Sequence, residues 1–563
     1  MEEKIQKTLF DKNNDKGKEK VKLDENDMQK KFMTLLQYSK VIRDPVHGDI
    51  WITETEKDII DTPIFQRLRR LKQLGPTDLV YPGAKHTRFE HSIGTLFMAQ
   101  QIIDSVNKNW HLGLSKAPIP LEDIFITRIV ALIHDLANLP YGHTIEDEGN
   151  LFGKNKQWLD PDRKEEHLNK VSPVVKTNLS NLSIPSDKIE GILKDIEDIL
   201  IAEEKGEEEI HNLKHPYIAD IVGNTICADL LDYLKRDSYY TGLKMIYDSR
   251  ILSYFVIDQY EKEGVKKPRI AILLERRKGV IRRDVLSYCL DLLKLRYSLA
   301  EKVYYHRVKS IFSAMVIKMV HCGLKGGVFT KKADLMHLGD DDLLYKIISY
   351  NKNKNEYVDA SKKLGNAIRK RKLYRVIYST EYVKEEIWNK LKKYTDKDER
   401  YNMERRLENF FSVPPGSVVI YSPKLDKGKA ADTKMLRGIW ENPFIKKLSE
   451  LAREPEYSST IGREIETLEN LYKSLWKFYL ILDSEYARDK ERLRKACEEI
   501  FEKNMVGENI IRLRADNLSV EVTTTQLDEV SLELQKINVP REITGEFIDE
   551  KIKQVIGRKK ANV

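Results

Sequence analysis

Four residues of this 563-residue chain have the types that a divalent cation takes: His91, the adjacent pair His134-Asp135, and Asp229. Imidazole nitrogens with carboxylate oxygens suit an ion that keeps positions open for water and a phosphate oxygen. His91 stands in Arg88-Phe89-Glu90-His91-Ser92, at the start of the apolar stretch Ile93–Val106, and His134-Asp135 closes the apolar run from Ile129. Neighbours on a helix point about 100° apart, so both can reach one ion only if the helix is aimed at it. Asp229 lies in Ile226-Cys227-Ala228-Asp229-Leu230-Leu231, and a carboxylate on a buried helical face is costly unless it is paired or binds a metal. Each residue alone has a plainer reading: a chance dipeptide, a capping histidine, a carboxylate on a solvent face.

The elements that must position them follow from apolar spacing. Ile59–Leu74, Ile93–Val106, Ile124–Leu136 and Ile221–Leu234 carry apolar residues three and four apart and are read as helices. Gly48–Thr53, Ser417–Tyr421 and Leu518–Thr525 read as strands, and Glu203–Glu209 as an exposed acidic loop or helix face. The expected fold class is mainly α, with a helical core and a smaller mixed α/β region toward the C-terminus. The expected division is a flexible charged extension over 1–37 (with a short helix near Met28–Gln37), a catalytic domain over 38–330, a mixed α/β region over 331–455, and a C-terminal helical region with a strand over 456–563.

Composition narrows the classes of function. Hydrophobic residues make up 41% and charged residues 33%, a globular balance. No run approaches the roughly 20 apolar residues of a membrane span, and Met1-Glu2-Glu3-Lys4 is unlike a secretory signal. Cys227, Cys289, Cys322 and Cys497 form no CxxC pair, so a reducing cytoplasm is expected. The net charge of +8, from 97 basic and 89 acidic residues, suits an anionic ligand. It is too small and too dispersed to mark a nucleic-acid groove.

The order His…His-Asp…Asp resembles that of the HD phosphohydrolases. The wider text is similar to the sterile-alpha-motif/HD-domain deoxynucleoside triphosphate triphosphohydrolases and their bacterial relatives. The matching stretches are Asp44-Pro45-Val46-His47-Gly48, Asp61 to Arg69, Lys72-Gln73-Leu74-Gly75 and Tyr81 to Ser92. Further on come Asp232-Tyr233, Arg236-Asp237, Arg296-Tyr297-Ser298-Leu299 and Tyr304-Tyr305-His306-Arg307. No sterile-alpha-motif domain is expected in the short stretch before the first of these segments.

The resemblance implies water attack on the α-phosphorus, releasing deoxynucleoside and triphosphate. It assigns the metal to His91, His134, Asp135 and Asp229 (manganese, magnesium or iron) and the phosphates to Arg88 and Arg296, whose planar, always-charged forks suit such oxygens. His143 matches a catalytic histidine, with Glu146 as its carboxylate partner, and His167 is a further candidate. Tyr304 and Leu74 would close the side of the sugar where a 2′-hydroxyl would sit, Gln73 and Asp237 would bond the 3′-hydroxyl, and Tyr233 would line the pocket. An apolar wall disfavours an added hydroxyl, which would lose its water. The sequence departs from the family at Asn138, Leu230 and Ala300, where a histidine, a lysine and a histidine stand; Lys235, Arg236, Lys294 or Arg307 could replace the lost phosphate contacts.

The resemblance also implies a homotetramer activated by a guanine nucleotide at an inter-subunit site. The matching residues are Lys40, Val41, Ile42, Asp61, Gln66 and Arg69, with Asp61 accepting from guanine N1 and N2 and Arg69 reading O6; an internal Asp61–Arg69 salt bridge is the alternative. Two other functions stay open: an HD phosphohydrolase acting on another nucleotide as monophosphatase or phosphodiesterase, and a non-catalytic nucleotide sensor or single-strand binder using the lysine-rich stretch 351–372.

Overall fold

The computed structural model describes residues 16–152, 157–277, 280–382, 385–425, 432–438, 443–487, 494, 497, 501, 510–515 and 518–523. The architecture is mainly α, with small sheets, two of them toward the C-terminus. At its centre lies the helix Leu121–Ile133, buried at every position from Asp123 to Ile133. Its buried Arg128 is satisfied by Glu56 at 2.6 and 2.8 Å and by Gln100 at 2.7 Å. Beside it runs the helix Arg88–His111, whose Glu90 reaches back to the Thr87 N–H and fixes where the first turn begins.

Two expected helices are broken, and both breaks matter to the site. Ile59–Leu74 is the end of the helix Glu54–Ile60, a turn Pro63–Gln66 capped by Thr62, and a tight 3₁₀ turn Arg67–Arg70. Pro63 cannot continue the preceding helix, because it lacks an N–H and its ring clashes with the turn before it. Ile221–Leu234 is likewise two helices, Pro216–Gly223 and Ala228–Thr241. Gly223-Asn224-Thr225 are poor helix formers, and Asn224 bonds locally to Asp220 and to the Thr225 N–H instead. Asp229 therefore stands in the first turn of a new helix, not in mid-helix.

The strands Tyr38–Asp44 and Gly48–Thr53 form an antiparallel hairpin. Phe255–Lys262 and Val265–Leu273 pair antiparallel and are extended by Lys434–Arg437, parallel to Val265–Leu273, and then by Phe444–Lys447. Lys477–Leu482 lies antiparallel between Arg375–Glu381 and Val418–Tyr421. The expected strand from Leu518 is present as Leu518–Thr523, paired with Ile510–Ala515; residues 524 and 525 lie outside the described ones.

The largest apolar core runs from Phe32 and Leu35, through the helices around His91 and His134, to Val303, and takes in Met435 and the segment from Leu448 to Leu468. Part of the charged N-terminal stretch is thus a helix, Lys16–Leu35, whose later turns sit on that core through Phe32 and Leu35, with Phe32 against Phe125; residues 1–15 lie outside the described ones. A second core surrounds the helix Arg307–Lys325 and takes in Leu139, Tyr141 and Ile145, so the two cores meet at the loop after His134-Asp135. Glu207, in the acidic stretch, is not a bare solvent face: it pairs with Arg269 at 2.8 Å. The described cysteines are buried and form no disulfide among the described residues, and no described helix is long and apolar enough to cross a membrane.

Candidate metal and phosphate site

Three of the four expected metal ligands converge. One donor atom from each of His91, His134 and Asp229 lies within 4.8 Å of the others, and the two imidazoles meet edge to face with centroids 5.3 Å apart. Both rings are oriented from behind. His91 Nδ1 donates to Asp232 Oδ2 at 2.7 Å, and His134 Nδ1 donates to the Ala131 carbonyl at 2.8 Å. Each ring is thereby fixed in the tautomer that leaves Nε2 as a lone-pair donor. Both Nε2 atoms are buried without a hydrogen-bond partner, although His91 Nε2 is 3.0 Å from Asp229 Oδ1. Two orphaned imidazole nitrogens facing a carboxylate are the donor set of a divalent cation, so the residues present fit one.

Asp135 borders this group. Its Oδ2 is 3.9 Å from His91 Nε2 and from His134 Nε2 and is bonded by Arg88, while Oδ1 accepts from Asn138 Nδ2 at 2.8 Å. Burial alone would raise its carboxyl, but Arg88, His134 and His91 hold it well below the ordinary carboxylate range. Burial alone would lower His91, but Asp229 and Asp232 on its two sides push it up to about 10. The same field that favours a proton on His91 Nε2 favours a metal cation there.

Behind His91 is a network of which sequence reasoning singled out only Arg236, and that as a phosphate contact. Arg236 donates twice to Asp232 at 2.9 Å and to Asp44 at 2.8 and 3.3 Å, and His47 Nε2 donates to Asp232 Oδ1 at 2.6 Å. Gly94 makes room for it: a Cβ there would lie 1.9 Å from Asp232 Oδ1 and 2.3 Å from Arg236 Nη2. Two spacings carried a signal. Asp232 follows Asp229 by three and Gly94 follows His91 by three, one helical turn in each case.

On the phosphate side, Arg88 is buried, and its Nε and Nη2 have no partner. Tyr141 and Gly142, at φ 59° and 41°, bend the next loop so closely over Arg88 that a Cβ at Gly142 would be 2.4 Å from Nη2. That loop leads to His143, exposed at the head of a single wide π turn, Thr144–Glu148, with Nδ1 donating to Asp147 Oδ2 at 2.5 Å. The protein packed around the turn would by desolvation lower His143, but the bond to Asp147 and the charge of Asp147 outweigh it and raise the imidazole. The expected partner was Glu146. A π turn takes more residues per revolution than an α turn, so the fourth residue on faces His143; Glu146 turns inward to Arg163 at 2.8 Å and the Leu139 N–H at 3.2 Å. His167 is fully buried, with Nδ1 donating to the Arg163 carbonyl at 2.7 Å, and burial together with Arg67 and Arg163 lowers it to about 3. Among the described residues no hydrogen bond, ion pair or ring contact joins it to His91, His134 or Asp229.

The sugar-side residues form a second group. Asp237 accepts from Tyr304 Oη at 2.6 Å and from His86 Nε2 at 2.8 Å. Gln73, whose N–H bonds the His86 carbonyl at 3.0 Å, keeps a buried Oε1 without a partner. Leu74, Tyr233 and Tyr304 pack at the edge of the main core, and Tyr233 lies in the fields of Arg296 and Asp229. Tyr472, from a region that offered no chemistry in the sequence, packs on Tyr297 at 5.4 Å and beside Tyr304. Of the cations proposed to replace the lost phosphate contacts, Arg236 is locked in the network above, Lys294 pairs with Glu464 at 2.6 Å, and Lys235 lies over the Tyr247 ring at 4.9 Å. Arg307 remains exposed, while Leu230 and Ala300 are buried.

The six residues matched to the regulatory site lie along the N-terminal hairpin and the Glu54–Arg70 segment. Lys40 and Val41 are exposed and Ile42 half-buried; Asp61 closes the helix Glu54–Ile60. Gln66 donates to the Ile60 carbonyl at 2.8 Å and accepts from Arg69 Nε at 2.9 Å, while Arg69 stacks on Phe89 at 3.4 Å. No ion pair joins Asp61 to Arg69 among the described residues, so the salt-bridge alternative does not hold.

A helical core bringing His91, His134 and Asp229 to one point, with Asp135 beside them, defines the class of an HD-domain protein. Residues 88–237 match the HD domain and residues 278–502 the HD associated region: the chain carries an HD domain followed by an HD-associated region. It is 34% identical over 291 residues to the uncharacterized protein MJ1154 of Methanocaldococcus jannaschii, covering 50% of this chain and 49% of that protein. It is 29% identical over 367 residues to the deoxynucleoside triphosphate triphosphohydrolase SAMHD1 homolog of Dictyostelium discoideum, covering 62% of each. With the uncharacterized protein YwfO of Bacillus subtilis it shares 29% identity over 290 residues, 51% of this chain and 56% of that one. The chain thus spans about half to three-fifths of the length of these relatives.

Proposed function

We propose that this protein is a metal-dependent phosphohydrolase that cleaves deoxynucleoside triphosphates to deoxynucleoside and triphosphate. The observation that carries this reading is a set of unspent buried polar atoms: Nε2 of His91 and of His134 and Nε and Nη2 of Arg88 in the metal and phosphate group, and Oε1 of Gln73 in the sugar-side group. Buried polar atoms are normally satisfied, and these supply metal ligands, phosphate donors and a sugar acceptor. A divalent ion, manganese, magnesium or iron, would supply Lewis-acid polarisation of a phosphate oxygen. Arg88 would neutralise charge that spreads over the phosphate, from a buried position where each hydrogen bond counts for more than in water. Protonated His143, steadied by Asp147, would hand its Nε2 proton to the leaving 5′-oxygen. Asp237, held by His86 and Tyr304, would accept from the 3′-hydroxyl, and the Tyr304 and Leu74 side would disfavour a ribose.

The hairpin bearing Lys40, Val41 and Ile42, with Asp61, Gln66 and Arg69, would bind the guanine nucleotide between subunits of a tetramer. Such an activator must bind the active assembly more tightly than the inactive one. The burial of Leu230 and Ala300, where the family places cations, favours a second reading in which the substrate carries a shorter phosphate chain. The test is to incubate the protein with each deoxy- and ribonucleotide and manganese or magnesium, with and without a guanine nucleotide, and to separate the products. Deoxynucleoside with triphosphate is the expected result, inorganic phosphate would support the second reading, and unchanged nucleotides throughout would overturn both.

His143→Ala should lower kcat by about 10²–10⁴-fold, the usual contribution of a positioned acid or base, and leave bound metal unchanged. Asp147 raises His143, so the acid form survives to higher pH in the native protein. In Asp147→Asn the alkaline limb of kcat should therefore move to lower pH. An unmoved limb would remove His143 from proton transfer.

A further inference from the structure

Two segments that flank the site are held by one carboxylate from a helix far along the chain. Asp340, 1% exposed, accepts from the Lys72 N–H through Oδ2 at 3.0 Å and from the Tyr141 N–H through Oδ1 at 2.7 Å. Lys72 precedes Gln73 and Leu74, and Tyr141 opens the turn to His143. Tyr141 is in the left-handed region, at φ 59°, a conformation that a bulky residue keeps only where its surroundings over-determine it.

An aspartate in the first turn of a helix ordinarily serves that helix's own N–H groups and dipole. In the helix Asp340–Ser349 that work falls to Asp342, which accepts from the Gly339 N–H at 2.8 Å, leaving Asp340 for two foreign amides. The helix start is itself fastened to the 67–72 segment. Arg67 Nε donates to the Leu338 carbonyl at 3.0 Å, Arg70 pairs with Asp342, and Gly339 packs so close that a Cβ there would be 2.8 Å from the Arg70 carbonyl oxygen. Burial pushes the Asp340 carboxyl up to about 6, offset in part by the two amides, so the fold tolerates an unfavourable buried acid at this point.

We propose that Asp340 is a positioning residue of the active site. Its two oxygens set the spacing between the sugar-side segment 72–74 and the loop 139–143, so the helix Asp340–Ser349 fixes where His143 stands over the phosphate. This rests on the phosphohydrolase reading for its effect on turnover, but not for the geometry it asserts.

The test compares the full chain with Asp340→Asn, which keeps one acceptor and loses the other, and with Asp342→Asn as a control at the same helix end. Hydrogen exchange is followed without metal or nucleotide; bound manganese and steady-state rates are measured separately. In Asp340→Asn, exchange should rise in peptides covering 70–75 and 139–147 and stay at the native rate in 340–349. Turnover should fall roughly 10–100-fold at unchanged manganese content, as expected when a reacting group is misplaced by about an ångström. Asp342→Asn, which loses its helix-cap bond and its pair with Arg70, should loosen 340–349 and the Arg70 end of 70–75, while 139–147 stays protected and kcat stays within about 3-fold. Should Asp340→Asn not fold, Asp340→Glu, with both acceptors on a longer arm, should keep both segments protected and still lower kcat. Native exchange in 70–75 and 139–147 of Asp340→Asn, or native kcat in whichever of the two Asp340 variants folds, would overturn the proposal. If the native protein hydrolyses no nucleotide, the phosphohydrolase reading falls, while the exchange pattern still decides whether Asp340 holds the two segments.

Discussion

Replacing His134 with alanine is expected to reduce nucleotide hydrolysis by about 10³-fold or more and to abolish stoichiometric metal binding, with little change in melting temperature. The arithmetic is short. Lewis-acid stabilisation by a bound cation is worth several kcal/mol in the transition state, and each 1.36 kcal/mol is a factor of ten, so a loss of about 4 kcal/mol gives that factor. His134 is the ligand to choose because little else depends on its ring. Its Nδ1 meets only the Ala131 carbonyl, a residue at the end of its own helix, and Nε2 has no hydrogen-bond partner. Its position is held through the backbone, where the His134 carbonyl accepts from Trp158 Nε1 at 2.7 Å, and alanine leaves that bond in place. His91 is a poorer choice, because its loss would also remove a hydrogen bond from the buried Asp232. Metal content of the purified variant and its melting curve are the two measurements. A variant that binds metal as the native protein does, or that turns over within tenfold of it, would remove His134 from the metal set.

The second large effect falls on stability. Arg236→Met should destabilise the domain by about 3–5 kcal/mol, the usual cost of breaking a buried charge network by removing one partner, and lower its melting transition by roughly 10 °C. Arg236 is fully buried and is the cation that Asp44 and Asp232 share. Methionine fills much of the volume but leaves both carboxylates in a medium that penalises charge. Burial would raise Asp232, and Arg236 leads the groups that hold it well below the ordinary carboxylate range, so this carboxylate depends on its partner. The double variant Asp232→Asn/Arg236→Met removes one of the two stranded charges and should recover part of the loss. A coupling of this kind shows only when the variants are combined. The outcome against the argument is Arg236→Met melting within about 2 °C of the native protein, which would mean that water or a shift of the hairpin relieves the two carboxylates.

Much of the fold was legible because helix periodicity is a local property. The apolar spacing around Ile93–Val106 and Ile124–Leu136 marks two helices whose burial follows directly from their composition. The breaks at Pro63 and at Gly223-Asn224-Thr225 were written in the same text, in residues that cannot or do not continue a helix, yet the apolar spacing alone ran through both. The pairing of Lys434–Arg437 with Val265–Leu273 was not legible at all. Short strands carry little pattern, and nothing local announces a partner so distant in the chain.

The four residues at the centre divide the same way. Sequence alone determined their types, their order and the resemblance to HD phosphohydrolases, because those are properties of the text. Only the tertiary structure decided that His91, His134 and Asp229 share one point while Asp135 leans to Arg88, since that depends on where three helix ends meet. It also decided that His143 leans on Asp147 and not Glu146, because one π turn changes the angle between neighbouring side chains. Asp340 is the extreme case. It reads as an ordinary aspartate opening a helix, and it matters only because folding brings the amides of Lys72 and Tyr141 to its two oxygens.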